Sequence, residues 1–82
     1  MRITMEYLRS QLRYLNDLTK EDKYPYKFYM AYGSYGLVKI VNDSHGCRTI
    51  IHLTTKKDLY YQMQMYINGI LSERERENEK QN

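Results

Sequence analysis

Three residues of the chain have thiol or imidazole side chains that could bind a soft metal or act as nucleophiles: His45, Cys47 and His52. A zinc site needs three or four protein ligands at recognised spacing. The sequence has no second cysteine and no third histidine, and Asp43, which could add a carboxylate, also suits a turn. We interpret Asp43 and His45 as turn residues and Cys47 as a small buried hydrophobe. The sequence therefore predicts no catalytic residue, no metal site, no cofactor and no enzymatic activity.

A glycine-rich stretch at residues 32–36 reads Tyr-Gly-Ser-Tyr-Gly. It lacks the G-x-x-x-x-G-K-S/T and G-x-G-x-x-G patterns of phosphate-binding loops. Gly33-Ser34 fits a two-residue type II′ hairpin turn, because glycine tolerates a positive φ. We interpret the stretch as a hairpin turn with packed cross-strand tyrosines. The alternative is a tyrosine-lined edge that stacks on a base or on a partner side chain.

Tyrosine is over-represented, with ten residues against one phenylalanine and no tryptophan. Half of the ten lie in or just before the first predicted hairpin, at positions 24, 26, 29, 32 and 35, where strand alternation sends them to both faces. Only one face can meet the helices, so several rings should stay exposed, and exposed tyrosine is typical of interfaces. The candidate contacts for a protein partner are Tyr29, Tyr32, Tyr35, Tyr61 and Met65.

The charge balance is mildly basic, with 13 Lys and Arg, 10 Asp and Glu, and a net charge of +3. This falls short of the dense cationic patch that dominates nucleic-acid affinity. A nucleic-acid interface on the sheet, using Lys27, Lys39 and Arg48, is the second hypothesis. A protein that sequesters a nucleotide-like small ligand at a dimer interface is the third.

Two amphipathic patterns predict helices over residues 4–20 and from 56 to 72 or beyond. Thr4 is the expected N-cap of the first, and Thr55 with Asp58 fits a capping box for the second. The predicted core is apolar and lies on the facing stripes of the two helices: Leu8, Leu12, Leu15, Leu59, Met63, Ile67 and Ile70. A second stripe on the first helix carries Tyr7, Gln11, Tyr14 and Leu18.

Strands are expected at residues 26–32, 35–41 and 47–53, forming a three-stranded antiparallel meander. In the third strand Ile50 interrupts the alternation, so either face could be buried. The predicted fold is a single two-layer α+β domain, α-β-β-β-α, over residues 1–72. Residues 73–82 form a charged C-terminal tail that either frays or prolongs the helix.

Short sequence blocks resemble a group of small phage and prophage proteins. The blocks are Leu15-Asn16-Asp17-Leu18-Thr19, Ala31-Tyr32-Gly33-Ser34-Tyr35 and Lys56-Lys57-Asp58-Leu59-Tyr60. The group's motifs are L-N-x-L-T at a helix end, A-Y-G-G-Y in a turn and K-R-E-L-Y in a final helix. The group brings no established activity and implies an accessory gene product in the cytoplasm of a bacterial host.

The function predicted from these features is a non-enzymatic accessory protein of a phage or mobile element. It would bind a host or defence component, most simply a protein, and form a homodimer through an open sheet edge or the Tyr61/Met65 face. No apolar run approaches the ~20 residues of a membrane-spanning helix. The chain shows no secretory signal, and its single cysteine fits a reducing cytoplasm.

Overall fold

The computed structural model describes residues 2–21, 23–44 and 46–80. Helix α1 (Met5–Leu18) precedes strands β1 (Tyr26–Ala31), β2 (Ser34–Ile40) and β3 (Cys47–Thr54), and helix α2 (Lys56–Lys80) follows them. The strands form one antiparallel sheet in the order β1-β2-β3. The predicted α+β fold with the order α-β-β-β-α is therefore confirmed.

Helix α1 begins and ends at side-chain caps. The Thr4 hydroxyl accepts a hydrogen bond from the Tyr7 backbone N–H at 3.4 Å, as expected of an N-cap. At the other end, the Thr19 hydroxyl donates to the Leu15 carbonyl at 2.9 Å. The Arg74 guanidinium, from α2, donates to the Leu18 carbonyl. The Leu15 carbonyl also accepts from the Thr19 backbone N–H at 3.0 Å, so the Arg74 bond supplies a partner to the last carbonyl of α1 and the Thr19 bonds close its final turn.

Helix α2 begins at the predicted capping residues. The Asp58 N–H donates to the Thr55 hydroxyl at 3.2 Å. The helix then continues to Lys80, well past the apolar part of its sequence. At ~1.5 Å per residue it is ~37 Å long.

The core lies between the helices and one face of the sheet. Five of the seven predicted core residues are buried, whereas Leu12 and Ile70 are partly buried and pack against the cluster. The buried apolar cluster consists of Ile3, Leu8, Leu15, Tyr26, Leu37, Ile51, Leu59, Met63 and Ile67. No helix in the described part of the chain combines the length and hydropathy needed to cross a bilayer.

The β1–β2 turn lies one residue earlier than expected. Ala31 pairs with Ser34, so the turn residues are Tyr32 and Gly33, with φ angles of 53° and 73°. Two successive positive φ values define a type I′ turn, so the expected type II′ turn at Gly33-Ser34 is wrong. Tyr32 is fully exposed at this tip, in a conformation that costs a bulky residue ~1 kcal/mol or more.

Strand β3 contains a β-bulge at the point where the alternation of its apolar and polar side chains is interrupted. The pairing passes from Leu37 opposite Ile51 to Val38 opposite Thr49, so Ile50 is an extra residue in β3. Ile51 is buried in the core, and Ile50 packs against it from the same side. The bulge therefore lets two adjacent isoleucines reach the helix-covered face.

Candidate functional site

The strand register shows which side chains share a face of the sheet, because directly opposed residues point the same way. Phe28 opposes Leu37, and both contact the core under the helices. Tyr29 opposes Gly36, one position further along each strand, and so lies on the open face. The Tyr29 ring covers Gly36 there, which explains why Tyr29 is partly buried without a covering layer.

The three tyrosines expected to anchor a partner lie on three different parts of the surface. Tyr29 is on the open face, and Tyr32 is at the hairpin tip. Tyr35 opposes Met30 on the helix-covered face, where the Lys56 ammonium lies 5.5 Å from its ring centroid. The structure does not bring these three rings together.

The three candidate nucleic-acid contacts are also divided between the two faces. Lys27 opposes Val38 on the open face, whereas Lys39 opposes both Tyr26 and Arg48 on the helix-covered face. A strand of nucleic acid along the open face would meet Lys27 without the other two cations.

The remaining expected contacts lie together on α2. Tyr61 is half exposed and Met65 is 72% exposed. The Tyr61 ring meets the Tyr60 ring edge to face, with the centroids 5.7 Å apart. Tyr60 in turn lines a groove between the helices, so this pair borders a larger surface.

We call that surface the interhelical groove. It lies between α1 and α2 and has a volume of about 260 Å³. The described residues that line it are aromatic, polar or aliphatic, with no charged side chain among them: Tyr7, Ser10, Gln11, Tyr14, Tyr60, Gln64 and Ile67. Tyr7 and Tyr14, one on each side of Gln11 along α1, are each about half exposed.

Gln11 is the buried polar residue of this groove, with 8% of its surface exposed. Its Nε2 donates to the Tyr60 carbonyl at 3.0 Å and to Gln64 Oε1 at 3.4 Å. These two acceptors fix the orientation of the amide. Its Oε1 is buried and has no hydrogen-bond partner among the described residues. Such an orphaned acceptor costs ~1–3 kcal/mol, so an incoming donor would be stabilised there.

Sequence analysis placed three of the groove residues, Tyr7, Gln11 and Tyr14, on one stripe of the first helix but assigned them no function. Tyr7, Gln11 and Tyr14 follow one another at helical spacing beside the leucines, and the charged residues of α1 lie elsewhere on the helix. An uncharged aromatic stripe next to the core stripe is the signal that could have indicated the groove. The burial of Gln11 depends on how closely α2 approaches, which α1 alone does not encode.

Cys47 and His45 were the two possible metal ligands around the start of β3, and the structure describes Cys47. Cys47 is exposed at the start of β3, so the expectation of a buried hydrophobe is wrong. It opposes Ile40, at the end of the sheet, where no helix covers it. His45 lies outside the described residues. Within the described ranges, no three His, Cys, Asp or Glu side chains are close enough to hold a metal ion.

No protein-family model matches this chain, and comparison with curated proteins and with solved structures finds no similar protein.

Proposed function

We propose that this protein is a small non-enzymatic binding module that holds a segment of another protein in the interhelical groove. The observation that carries the proposal is the buried amide of Gln11, which lines a tyrosine-rich groove and whose Oε1 has no hydrogen-bond partner among the described residues. A donor from the partner, such as a backbone or amide N–H, would satisfy this acceptor once the side chains that bury it move aside.

The composition of the groove favours a protein segment over nucleic acid. Its lining lacks the lysine and arginine side chains that bind phosphates. Aromatic residues and methionine are enriched at the centres of protein interfaces, and charged residues are depleted there. Tyr7, Tyr14, Tyr61 and Met65 give the helical layer this composition, so a largely apolar segment could bind without desolvating a charge.

The biological setting is proposed from the sequence blocks. Their resemblance to small phage and prophage proteins supports an accessory role in a bacterial cytoplasm, with a host or defence protein as the partner. In a counter-defence function, this protein would inhibit the defence protein by binding and covering a surface that the defence protein uses for its own activity. The groove is suited to that, because it needs no catalytic residue.

The partner can be identified by photo-crosslinking in bacterial cells that carry the full chain. A photoreactive phenylalanine analogue at position 14 would face the groove, and the same analogue at position 32 would report on the hairpin tip. A protein captured from position 14 would then be purified, and its dissociation constant for the chain measured directly.

The deciding measurement is the affinity of groove variants for that purified partner. Tyr7→Ala and Tyr14→Ala should each weaken binding about tenfold or more, as expected of aromatic anchors. Tyr32→Asn is the matched control, since it removes an exposed ring outside the groove and suits a positive φ. Gln11→Met should also weaken binding while leaving the melting temperature equal or higher, because it removes an unsatisfied buried oxygen. Normal binding by folded Tyr7, Tyr14 and Gln11 variants would refute the proposal.

A further inference from the structure

Strand β1 forms one outer edge of the sheet, and its pairing with β2 is regular over all six of its residues. The other outer edge, β3, has two irregularities in its pairing with β2. Bulges of this kind are one way in which proteins keep an edge strand from pairing with another chain. The edge of β1 has no such interruption, and it shares no described residue with the interhelical groove.

The backbone of Tyr26 shows which residues of β1 point out of the sheet. Both its N–H and its carbonyl bind the Asn16 side chain, so they face away from β2. Inward and outward residues alternate along an antiparallel strand, so Phe28 and Met30 also direct their N–H and carbonyl groups outward. The hairpin turn agrees, because a two-residue turn is closed by a hydrogen-bonded pair, which makes Ala31 inward and Met30 outward.

Asn16 covers only the first outward position of this edge. No hydrogen bond between described residues reaches the outward backbone groups of Phe28 or Met30. The Met30 side chain is 61% exposed, and Phe28 is partly buried against the core. Residues 27–31, between the Asn16 amide and the hairpin turn, therefore form a short edge to which one more strand can be added.

Charge indicates what kind of strand fits this edge. Lys27 is the one charged residue of β1, and its side chain is exposed on the open face. An edge lysine opposes pairing with a strand that leaves its charge unmatched, whereas an acidic residue directly opposite stabilises the pair. A second copy of β1 fits poorly, because Asn16 occupies the position beside Tyr26 in both copies. Two β1 strands could then overlap only over residues 27–31, with Lys27 opposite Ala31 and its charge unmatched.

We propose that the free edge of β1 binds an extended segment of another protein as a fourth, antiparallel strand with an acidic residue opposite Lys27. The residues opposite Phe28 and Met30 would be apolar, since they extend the face that packs on the helices. The residue opposite Tyr29 would be aromatic or β-branched. In such strand addition the backbone hydrogen bonds give affinity, and the alternate side chains give specificity.

The probe is a blocked pentapeptide with the sequence threonine-valine-tyrosine-valine-glutamate. Its valines would lie opposite Met30 and Phe28, and its glutamate opposite Lys27. Titration of the full chain, followed by nuclear magnetic resonance, should give saturable shifts at the Phe28 and Met30 amides. Methylating both valine nitrogens removes the donors that face β1 and should weaken binding about tenfold. Methylating the tyrosine nitrogen, which faces away from β1, is the matched control and should leave the affinity unchanged.

Reversing the charge tests the assignment of the acidic position. Lys27→Glu should make the chain prefer a pentapeptide that ends in lysine over the one that ends in glutamate, by about threefold. Lys57→Glu makes the same charge change at an exposed position of α2 and should keep the preference for glutamate.

Several results would overturn the proposal. They are a titration that does not saturate, shifts that lie away from β1, equal binding by the valine-methylated peptide, and an unchanged preference in Lys27→Glu. Amide hydrogen exchange of the chain alone supplies a further test. If exchange at Phe28 and Met30 slows as the concentration of the chain is raised, a second copy covers the edge and the proposal is wrong.

Discussion

The side-chain amide of Asn16 binds both backbone polar groups of Tyr26. Asn16 Oδ1 accepts from the Tyr26 N–H at 2.8 Å, and Asn16 Nδ2 donates to the Tyr26 carbonyl at 3.1 Å. Tyr26 opens β1, an edge strand with no neighbour on that side. The amide therefore substitutes for a neighbouring strand and joins the end of α1 to the sheet.

We expect Asn16→Ala to lower the free energy of unfolding by about 2 kcal/mol, because it leaves the N–H and carbonyl of a buried residue without these partners. The measurement is urea denaturation followed by circular dichroism. Asn68→Ala is a suitable control, since Asn68 is exposed on α2 and its side-chain oxygen accepts a hydrogen bond from the Gln64 side chain, at 3.3 Å, not from the backbone of another element. Equal stability of the two variants would show that the Asn16 amide does not stabilise the fold.

Gly36 lies where a side chain would collide with the sheet. A Cβ at this position would be 2.8 Å from the Ile51 carbonyl oxygen and closer still to the Tyr29 ring. We expect Gly36→Ala to destabilise the protein by about 1–3 kcal/mol, because the backbone carbonyl cannot move aside without disturbing the β2–β3 pairing.

Gly69 is the matched control for this substitution. It lies inside α2, and a Cβ there would meet nothing within 4 Å. Gly69→Ala should raise stability by about 1 kcal/mol, the usual gain for a helix interior. Thermal unfolding of both variants would test the pair, and a stabilising Gly36→Ala would contradict the close packing described here.

Leu12 and Leu15 of α1 differ in burial, so replacing each with alanine should lower the free energy of unfolding by a different amount. Leu15 is fully buried, whereas Leu12 is partly exposed. Leu15→Ala should cost about 2–5 kcal/mol by leaving a cavity, and Leu12→Ala should cost less. Chemical denaturation of both variants measures the difference, and a larger loss at Leu12 would mean that α1 is rotated relative to the sheet.

The elements of this fold were predictable because periodicity and caps act locally. The leucine stripe of α1, the Thr4 cap and the Thr55–Asp58 cap depend on residues within one or two turns. The bulge at Ile50 was not predictable, because strict alternation has no place for an extra residue. The position of the β1–β2 turn was not predictable, because a tyrosine such as Tyr32 rarely adopts a positive φ. Pairing Phe28 with Leu37 on the core face nevertheless requires Tyr32 to be a turn residue.

The candidate surfaces were less predictable than the fold, since they depend on which faces the register brings together. Sequence analysis grouped Lys27 with Lys39 and Arg48. Tyr26 opposes Lys39 and shares its face of the sheet. Because side chains alternate along β1, the next residue, Lys27, lies on the other face. Gln11 could be assigned to a stripe, but its burial follows from contacts with Tyr60 and Gln64, roughly fifty residues away in the chain.

The last prediction concerns self-association. Tyr61 and Met65 are exposed on α2 beside the groove, so this part of the helix offers an apolar patch to a second copy of the chain. A two-fold contact needs a single self-complementary patch, and dimers are the commonest oligomers. We therefore expect sedimentation at micromolar concentration to give twice the 10.0 kDa mass of the chain.

Met65→Lys should convert that dimer to a monomer, because the two-fold axis would bring two buried ammonium groups towards each other. Met30→Lys is the control, since Met30 is similarly exposed, at 61%, but lies on β1 away from this surface. If the unmodified chain sediments at 10.0 kDa, the prediction of a dimer is wrong. If Met30→Lys dissociates the dimer and Met65→Lys does not, the contact lies at the open edge of β1, because that is where Met30 would meet a second strand.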